Sequence, residues 1–148
     1  MQQFRFRLQR VLQWQERVCR MEEDQLRQFR AAVAETEEKL ARLAAQRVAI
    51  EQELASQAAL SPGDLRALDE YRRRAVGERH ALDREWDARV SLVNAQRDKV
   101  VAARKKLHVL EKLRERALQE HTRAADREAE ATSLESYLAT WIAGQKAS

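Results

Sequence analysis

The sequence contains few of the residues that interrupt helices or fill compact cores. Its 148 residues include one proline, three glycines and one cysteine, and only 5% of them are aromatic. The single cysteine, Cys19, excludes an intramolecular disulfide and a cysteine-based metal site, and it suits a reducing cytosol. Scarce proline and glycine favour long, uninterrupted helices. Because large aromatic side chains are also scarce, we expect a narrow apolar seam between helices and no globular core.

Long apolar runs are absent as well. No stretch approaches the ~20 apolar residues that a membrane-spanning helix requires. The segment Gln2-Gln3-Phe4-Arg5-Phe6-Arg7-Leu8 has no continuous apolar core of the signal-peptide type, so we do not expect export by that route.

The sequence carries no arrangement of residues typical of catalysis or ligand binding. It has no glycine-rich phosphate loop. Its three histidines are far apart, and only the weak pairs His80/Asp83 and His108/Glu111 have helical spacing. A two-helix scaffold offers no enclosed pocket that would shift a pKa or exclude water. We therefore predict no enzymatic activity, no cofactor, no metal ion and no small-molecule ligand.

The residues that are abundant favour helix. Charged residues make up 35% of the chain, the net charge is only +4, and Ala, Leu, Arg, Glu and Gln dominate. Disorder is the competing interpretation of so much charge. One break stands out, where Ser61 can cap a helix, Pro62 fits its first position and Asp64 its third. The sequence predicts helix 1 over about 3–58, a turn at about 59–61, and helix 2 over about 62–142, ending before Gly144.

Apolar residues in both predicted helices alternate at spacings of three and four, which is the pattern of a coiled coil. In helix 1 the seam positions are Leu26, Phe29, Val33, Thr36, Leu40, Leu43, Arg47, Ile50 and Leu54. In helix 2 they are Leu82, Trp86, Arg89, Val93, Gln96, Val100, Ala103, Leu107 and Leu110. A short connection makes such helices antiparallel neighbours. The predicted fold is one all-α domain, residues 1–148: an antiparallel two-helix coiled-coil hairpin whose second helix is longer and overhangs.

This pairing places Phe4 opposite residues 114–116 and leaves residues from about 118 onward without a partner in helix 1. It also brings charged residues together at one end of the hairpin. Residues 1–20 carry five arginines against one glutamate, and residues 97–116 carry eight lysines or arginines against three acids. Both basic stretches fall at the same end of the hairpin. Beyond them, acidic residues outnumber basic ones, with Glu120, Asp126, Glu128, Glu130 and Glu135 against Arg123 and Arg127.

Two surfaces are candidates for protein binding. Phe4, Leu8 and Val11 share one face of the predicted helix and would close the hairpin end, which leaves Phe6 exposed. Trp14 also lies off the seam. We call the first surface the basic collar, and its predicted residues are Arg5, Phe6, Arg10, Trp14, Arg104, Lys105 and Lys106. We call the second the tail stripe, an uncovered apolar row made of Leu134, Leu138, Trp141 and Ile142. A membrane contact or a nucleic-acid arm is the alternative interpretation of the basic, aromatic N-terminus.

Two motifs carry a resemblance to a known family. The first is Phe4-x-Phe6-x-Leu8-Gln9-x-Val11-Leu12, and the second is Val109-Leu110-Glu111-Lys112-Leu113-Arg114-Glu115-Arg116. Together with the length and the two-helix plan, they resemble the flagellar FliJ family. The tail departs from that family, because Leu134-Glu135-Ser136-Tyr137 and Trp141-Ile142 replace a more charged ending.

The resemblance implies a non-enzymatic component of the bacterial flagellar type III export apparatus, with a coiled coil like the central stalk of rotary ATPases. It implies binding to the export ATPase ring, to the membrane protein of the export gate and to export chaperones. The expected location is the cytoplasm, peripheral to the inner membrane. Two other hypotheses remain: a nucleic-acid-associated basic coiled coil, and a structural dimer that self-associates through the tail stripe.

Overall fold

The computed structural model describes residues 2–147, and within them the chain forms two α-helices and no strand. Helix α1 spans Gln9–Ala55 and helix α2 spans Pro62–Lys146. Residues 56–61 connect them, and a connection this short makes the two helices antiparallel neighbours. The fold is an all-α helical hairpin whose second helix is longer, as predicted.

The start of α2 is fixed by the predicted capping arrangement. The backbone N–H of Asp64 donates to Ser61 Oγ at 3.1 Å, and the backbone N–H of Ser61 donates to Asp64 Oδ2 at 3.1 Å. These two bonds satisfy donors that the helix cannot pair internally. Pro62 occupies the first helical position, where its missing N–H costs nothing.

The other helix ends differ from the prediction. Helix α1 begins at Gln9 and not at about 3, and it ends at Ala55 and not at about 58. Helix α2 continues past the predicted end at 142 to Lys146, straight through Gly144. Glycine lowers helix propensity by only about 1 kcal/mol relative to alanine, so it does not stop a helix unless it takes the left-handed conformation. No described glycine has a positive φ.

Contacts group the chain into two compact units, of which the larger comprises residues 20–102. Its core is formed by Leu26, Val93 and Val100, with Phe29 and Val33 packed against them. These are predicted seam positions, and the heptad prediction is confirmed here.

Polar residues occupy other seam positions of this unit. Thr36 has no exposed surface, and its hydroxyl accepts a hydrogen bond from Arg89 Nη1 at 2.8 Å. The same Arg89 nitrogen donates to the Ala32 carbonyl at 2.7 Å. Gln96 Nε2 donates to the Glu22 carbonyl at 3.0 Å and also to the Glu22 carboxylate. Every one of these bonds links α1 to α2, so the polar layers fix the register of the two helices.

The other unit comprises residues 2–19 and 103–147 of the described chain. Its buried residues are Leu12, Gln15 and Cys19 from α1 and Ala103 from α2. The prediction that Phe4, Leu8 and Val11 share one face of a helix is wrong. Phe4 and Leu8 precede α1, and 44% of Val11 is exposed.

The segment before α1 still packs against α2. The Phe4 ring lies 5.5 Å from the His121 ring, and the Arg114 guanidinium lies 5.8 Å from the Phe4 ring centroid. The predicted pairing of Phe4 with residues 114–116 is confirmed. A non-helical segment advances about twice as far per residue as a helix. Cover of α2 therefore extends to His121 and Ala125, which are partly buried, and not only to about 118. All residues of 126–147 are exposed.

Candidate functional site

Part of the predicted basic collar converges around one groove. Arg5, Phe6 and Arg10 line a groove of about 510 Å³, together with four residues that were not among the predicted ones: Phe4, Arg7, Gln9 and Arg114. The non-helical residues 4–7 and the first turn of α1 form one wall, and Arg114 on α2 forms the other. The packing of Phe4 on α2 holds these walls together.

The groove is strongly positive. Its lining contains four arginines and no carboxylate. Arg5, Arg7, Arg10 and Arg114 form no salt bridge with any residue of 2–147. Several arginines of the other unit do have such partners, for example Arg42, whose Nη2 lies 2.7 Å from Glu38 Oε1. Four uncompensated guanidinium groups attract carboxylates or phosphates, and each can bind such a group through two parallel hydrogen bonds.

Aromatic rings line the same groove. Phe6 is half-buried and therefore less exposed than predicted, because it lies before the helix and not on an outward helix face. Its carbonyl accepts a hydrogen bond from the Gln9 N–H at 3.2 Å. The Arg114 guanidinium lies over the Phe4 ring, and this cation–π contact restrains the arginine. The groove thus offers charged donors beside apolar rings, a combination common in protein-binding hot spots.

The remaining residues of the basic collar lie around the two helices, at a different position along the helix axes from the groove. Trp14 is 57% exposed, one turn after Arg10 on α1. The hydrogen bond from Gln15 Nε2 to the Ala103 carbonyl, 3.0 Å long, sets this part of α1 level with Ala103. Its neighbours in α2, Arg104, Lys105 and Lys106, are all exposed.

Helix geometry decides how those three basic residues are presented. Consecutive residues of an α-helix are rotated by about 100°, so three in a row cover most of the circumference. Ala103 is buried, so the side chains of Arg104 and Lys106 flank the helix contact and Lys105 points away from it. Arg114 lies about 15 Å farther along the helix. The collar therefore has two parts, the arginine groove and a surrounding band.

The tail stripe is exposed along its whole length. Leu134, Leu138, Trp141 and Ile142 are 59%, 44%, 53% and 48% exposed. Tyr137, 67% exposed, extends the row and was not among the predicted residues, although its spacing from Leu134 and Trp141 could have identified it. No residue of α1 covers this row in the described chain.

A hollow of about 730 Å³ lies between α1 and α2 in the larger unit. Its walls include Leu40 and Leu43 on α1 and Ala75 and Val76 on α2. His80 lies at the same hollow, and with it Asp83, whose carboxylate is 4.0 Å from Arg79. This hollow reflects loose packing of the seam, because small residues such as Ala44 and Ala75 stand where larger ones would fill the space.

Within residues 2–147 no cluster of three or more His, Cys, Asp or Glu side chains has the geometry to hold a metal ion. Neither helix contains, over the described part of the chain, a segment apolar and long enough to cross a bilayer.

Comparison of the chain with protein-family models, with curated proteins and with solved structures found no match in any of the three.

Proposed function

We propose that this protein is a non-enzymatic stalk and coupling factor of a bacterial flagellar type III export apparatus. It binds the export ATPase ring through the basic collar, contacts the export gate, and assists delivery of chaperones and substrates. It acts in the cytoplasm, at the inner face of the membrane. The N-terminal motif from Phe4 to Leu12 and its resemblance to the FliJ family motivate this assignment.

The observation that carries the proposal is the arginine groove beside exposed Trp14. Arg5, Arg10 and Arg114 have no carboxylate partner among the described residues, so they are available to an acidic surface on another protein. Contacts between exposed charges raise the association rate and are screened by salt. A coupling factor that engages its ATPase repeatedly needs an interface of this reversible kind.

The helical architecture is compatible with entry into a ring. Each unit is only two helices thick, and two packed helices are about 20 Å across. Within each unit, hydrogen bonds such as those of Gln15 and Arg89 resist sliding of one helix past the other, so each unit can transmit force along its helices.

A second candidate function, binding of nucleic acid, is favoured by the same groove. Arginine binds phosphates as readily as carboxylates. The uncovered tail opposes this interpretation, because Glu128, Glu130 and Glu135 would repel a polyanion that extends along α2.

The test is a binding measurement with the export ATPase of the same bacterium. One variant carries Arg5→Glu, Arg10→Glu, Lys105→Glu and Lys106→Glu. We expect at least about a tenfold loss of affinity for the ATPase, since each attractive contact becomes a repulsive one.

The matched control changes the net charge equally at exposed arginines outside the basic collar: Arg30→Glu, Arg66→Glu, Arg84→Glu and Arg97→Glu. Circular dichroism checks that both variants keep their helix content. Equal affinities of the two variants would remove the basic collar as the ATPase interface. Strong, salt-sensitive binding to duplex DNA without ATPase binding would favour the second candidate.

A further inference from the structure

The segment before α1 has backbone hydrogen-bonding groups that the hairpin does not use. Residues 2–6, which we call the edge segment, run without a turn or a bend, and α1 begins only at Gln9. Within the described chain the backbone of the edge segment makes one hydrogen bond, in which the Phe6 carbonyl accepts from the Gln9 N–H. The N–H groups of Phe4, Arg5 and Phe6 and the carbonyls of Phe4 and Arg5 have no partner there. Such groups bond to water or to another molecule.

The side chains of the edge segment alternate in exposure. Phe4 and Phe6 are half-buried, whereas Gln3, Arg5 and the following Arg7 are exposed. This is the two-residue period of a β-strand that packs one face on the protein. The edge segment therefore has the character of an edge strand that lacks a neighbouring strand.

We propose that the edge segment binds an extended acidic peptide of a partner protein, which pairs with its backbone as a second strand and binds its arginines through alternate carboxylates. This mode of recognition takes its affinity from main-chain hydrogen bonds and its specificity from alternate side chains. The arginine groove provides the space, since it has a volume of about 510 Å³ beside the edge segment. Arg114 on α2 faces the peptide from the other wall.

The spacing of the arginines matches that of an extended partner. Alternate residues of a strand lie about 6.5 Å apart on one face. Arg5 and Arg7 are two residues apart, as are the alternate carboxylates of such a peptide. Residues opposite each other on paired strands are about 5 Å apart, so each arginine meets one carboxylate. Neither arginine has a carboxylate partner among the described residues, and a guanidinium binds a carboxylate through two parallel hydrogen bonds.

The residues between the carboxylates of the peptide are apolar. Phe4 and Phe6 line the groove, and their rings are only half-buried. In a strand paired with the edge segment, the side chains between the carboxylates lie on the same side as these rings. Valine or isoleucine there covers the rings and contributes affinity that exposed ion pairs alone do not supply.

Nucleic acid fits the same groove less well. Phosphodiester groups accept hydrogen bonds and donate none, so the carbonyls of Phe4 and Arg5 would stay without a partner. A peptide offers both N–H groups and carbonyls. The unpaired backbone of the edge segment therefore favours a protein partner.

Synthetic peptides test the proposal on the full-length chain by fluorescence anisotropy. The probe is the labelled peptide Ser-Glu-Val-Glu-Val-Glu-Ser, and its control, Ser-Val-Glu-Glu-Glu-Val-Ser, has the same composition without the alternation. We expect the probe to bind at least about tenfold more tightly than the control. Equal binding of the two peptides, or no binding of the probe, would overturn the proposal.

Paired variants of the chain locate the binding. Arg5→Gln together with Arg7→Gln should weaken probe binding at least about tenfold, because both carboxylate contacts are lost. Arg17→Gln together with Arg20→Gln is the matched control, since both arginines are exposed on α1 and lie outside the groove. Equal affinities of the two variants would contradict the assigned site.

Amide hydrogen exchange in NMR spectra measures the backbone pairing itself. With the probe at saturation, exchange of at least one of the Phe4, Arg5 and Phe6 N–H groups should slow at least about tenfold, because a hydrogen-bonded N–H is protected. Unchanged exchange at all three would overturn the strand pairing. Displacement of the probe by a lower concentration of an oligonucleotide of equal charge would assign the groove to nucleic acid.

The inference rests on the proposed function in one respect, because the groove belongs to the basic collar that is proposed to bind the ATPase. The two can fail separately, since the peptide experiments use no ATPase. Probe binding by a chain that does not bind the ATPase would remove the export function alone. ATPase binding by a chain that ignores the probe would remove the strand pairing alone.

Discussion

Gln15 donates a hydrogen bond from Nε2 to the carbonyl oxygen of Ala103, 3.0 Å away and shielded from water. Only 4% of Gln15 is exposed. A glutamine in a coiled-coil seam weakens the apolar contact, but a satisfied polar group also favours one register over its neighbours. Gln15 thereby sets which residues of α2 lie beside Trp14 and Arg10 of the basic collar.

Replacement of Gln15 by alanine should lower the free energy of unfolding by about 1–3 kcal/mol, because the hydrogen bond is lost and a cavity remains. Urea unfolding followed by circular dichroism measures the change. Gln13→Ala is the control, since Gln13 is exposed and should change stability by less than about 0.5 kcal/mol. Equal effects of the two substitutions would contradict this role for Gln15.

Thr36→Val should destabilise the hairpin by about 1–2 kcal/mol. Valine has the shape of threonine but lacks the hydroxyl that accepts a hydrogen bond from the Arg89 guanidinium at 2.8 Å. Thr122→Val is the matched control, because the Thr122 hydroxyl is exposed and donates only to the Leu118 carbonyl of its own helix. A loss of stability in Thr122→Val as large as that in Thr36→Val would contradict this role of the Thr36 hydroxyl.

The Phe4 contact can be followed through His121. In the Phe4→Ala variant, the ring current that Phe4 exerts on His121 disappears, so the His121 ring protons should move towards their random-coil chemical shifts in NMR spectra. Trypsin should also cleave faster after Arg5 and Arg7, since the segment loses its attachment to α2. Phe6→Ala is the control and should leave the His121 resonances in place. Unshifted His121 resonances in Phe4→Ala would contradict this packing.

The capping interaction at the start of α2 predicts a pH dependence. The backbone N–H and the side chain of Ser61, through hydrogen bonds, hold the pKa of Asp64 below its ordinary value of 3.8. A lowered pKa in the folded state means that the contribution of Asp64 to stability is present above 3.8 and is lost as the pH falls through the folded-state pKa. Carboxyl chemical shifts across an acid titration should show the lowered pKa. An Asp64 pKa at or above 3.8 would contradict the capping geometry.

The sequence was sufficient to predict the hairpin, because its determinants are local and periodic. Heptad spacing identified the seam that contains Leu26, Val93 and Val100, and the Ser61/Asp64 pair identified the start of α2. The start of α1 was not predictable in the same way. Phe4, Phe6 and Leu8 are compatible with helix, but Phe4 contacts Arg114 and His121 from a non-helical segment, and that packing depends on residues distant in the sequence.

The candidate site was predicted only in part for the same reason. Arg5, Phe6 and Arg10 are close in sequence and were recognised as a group. Arg114 completes the groove from α2, and its contribution becomes clear only when the helix pairing is known in detail. Arg104, Lys105 and Lys106 form a single run in the sequence, but rotation along the helix distributes them around α2.

The proposed function is tested most directly by photo-cross-linking in living cells of the native bacterium. A photoreactive amino acid replaces Trp14 in the basic collar, and a second strain carries it at Leu65, which is similarly exposed, at 52%, but lies outside the collar. We predict an adduct with the flagellar export ATPase from position 14 and none from position 65. An absence of ATPase adducts at position 14, or equal adducts at both positions, would contradict the assignment of this chain to the export apparatus through its basic collar.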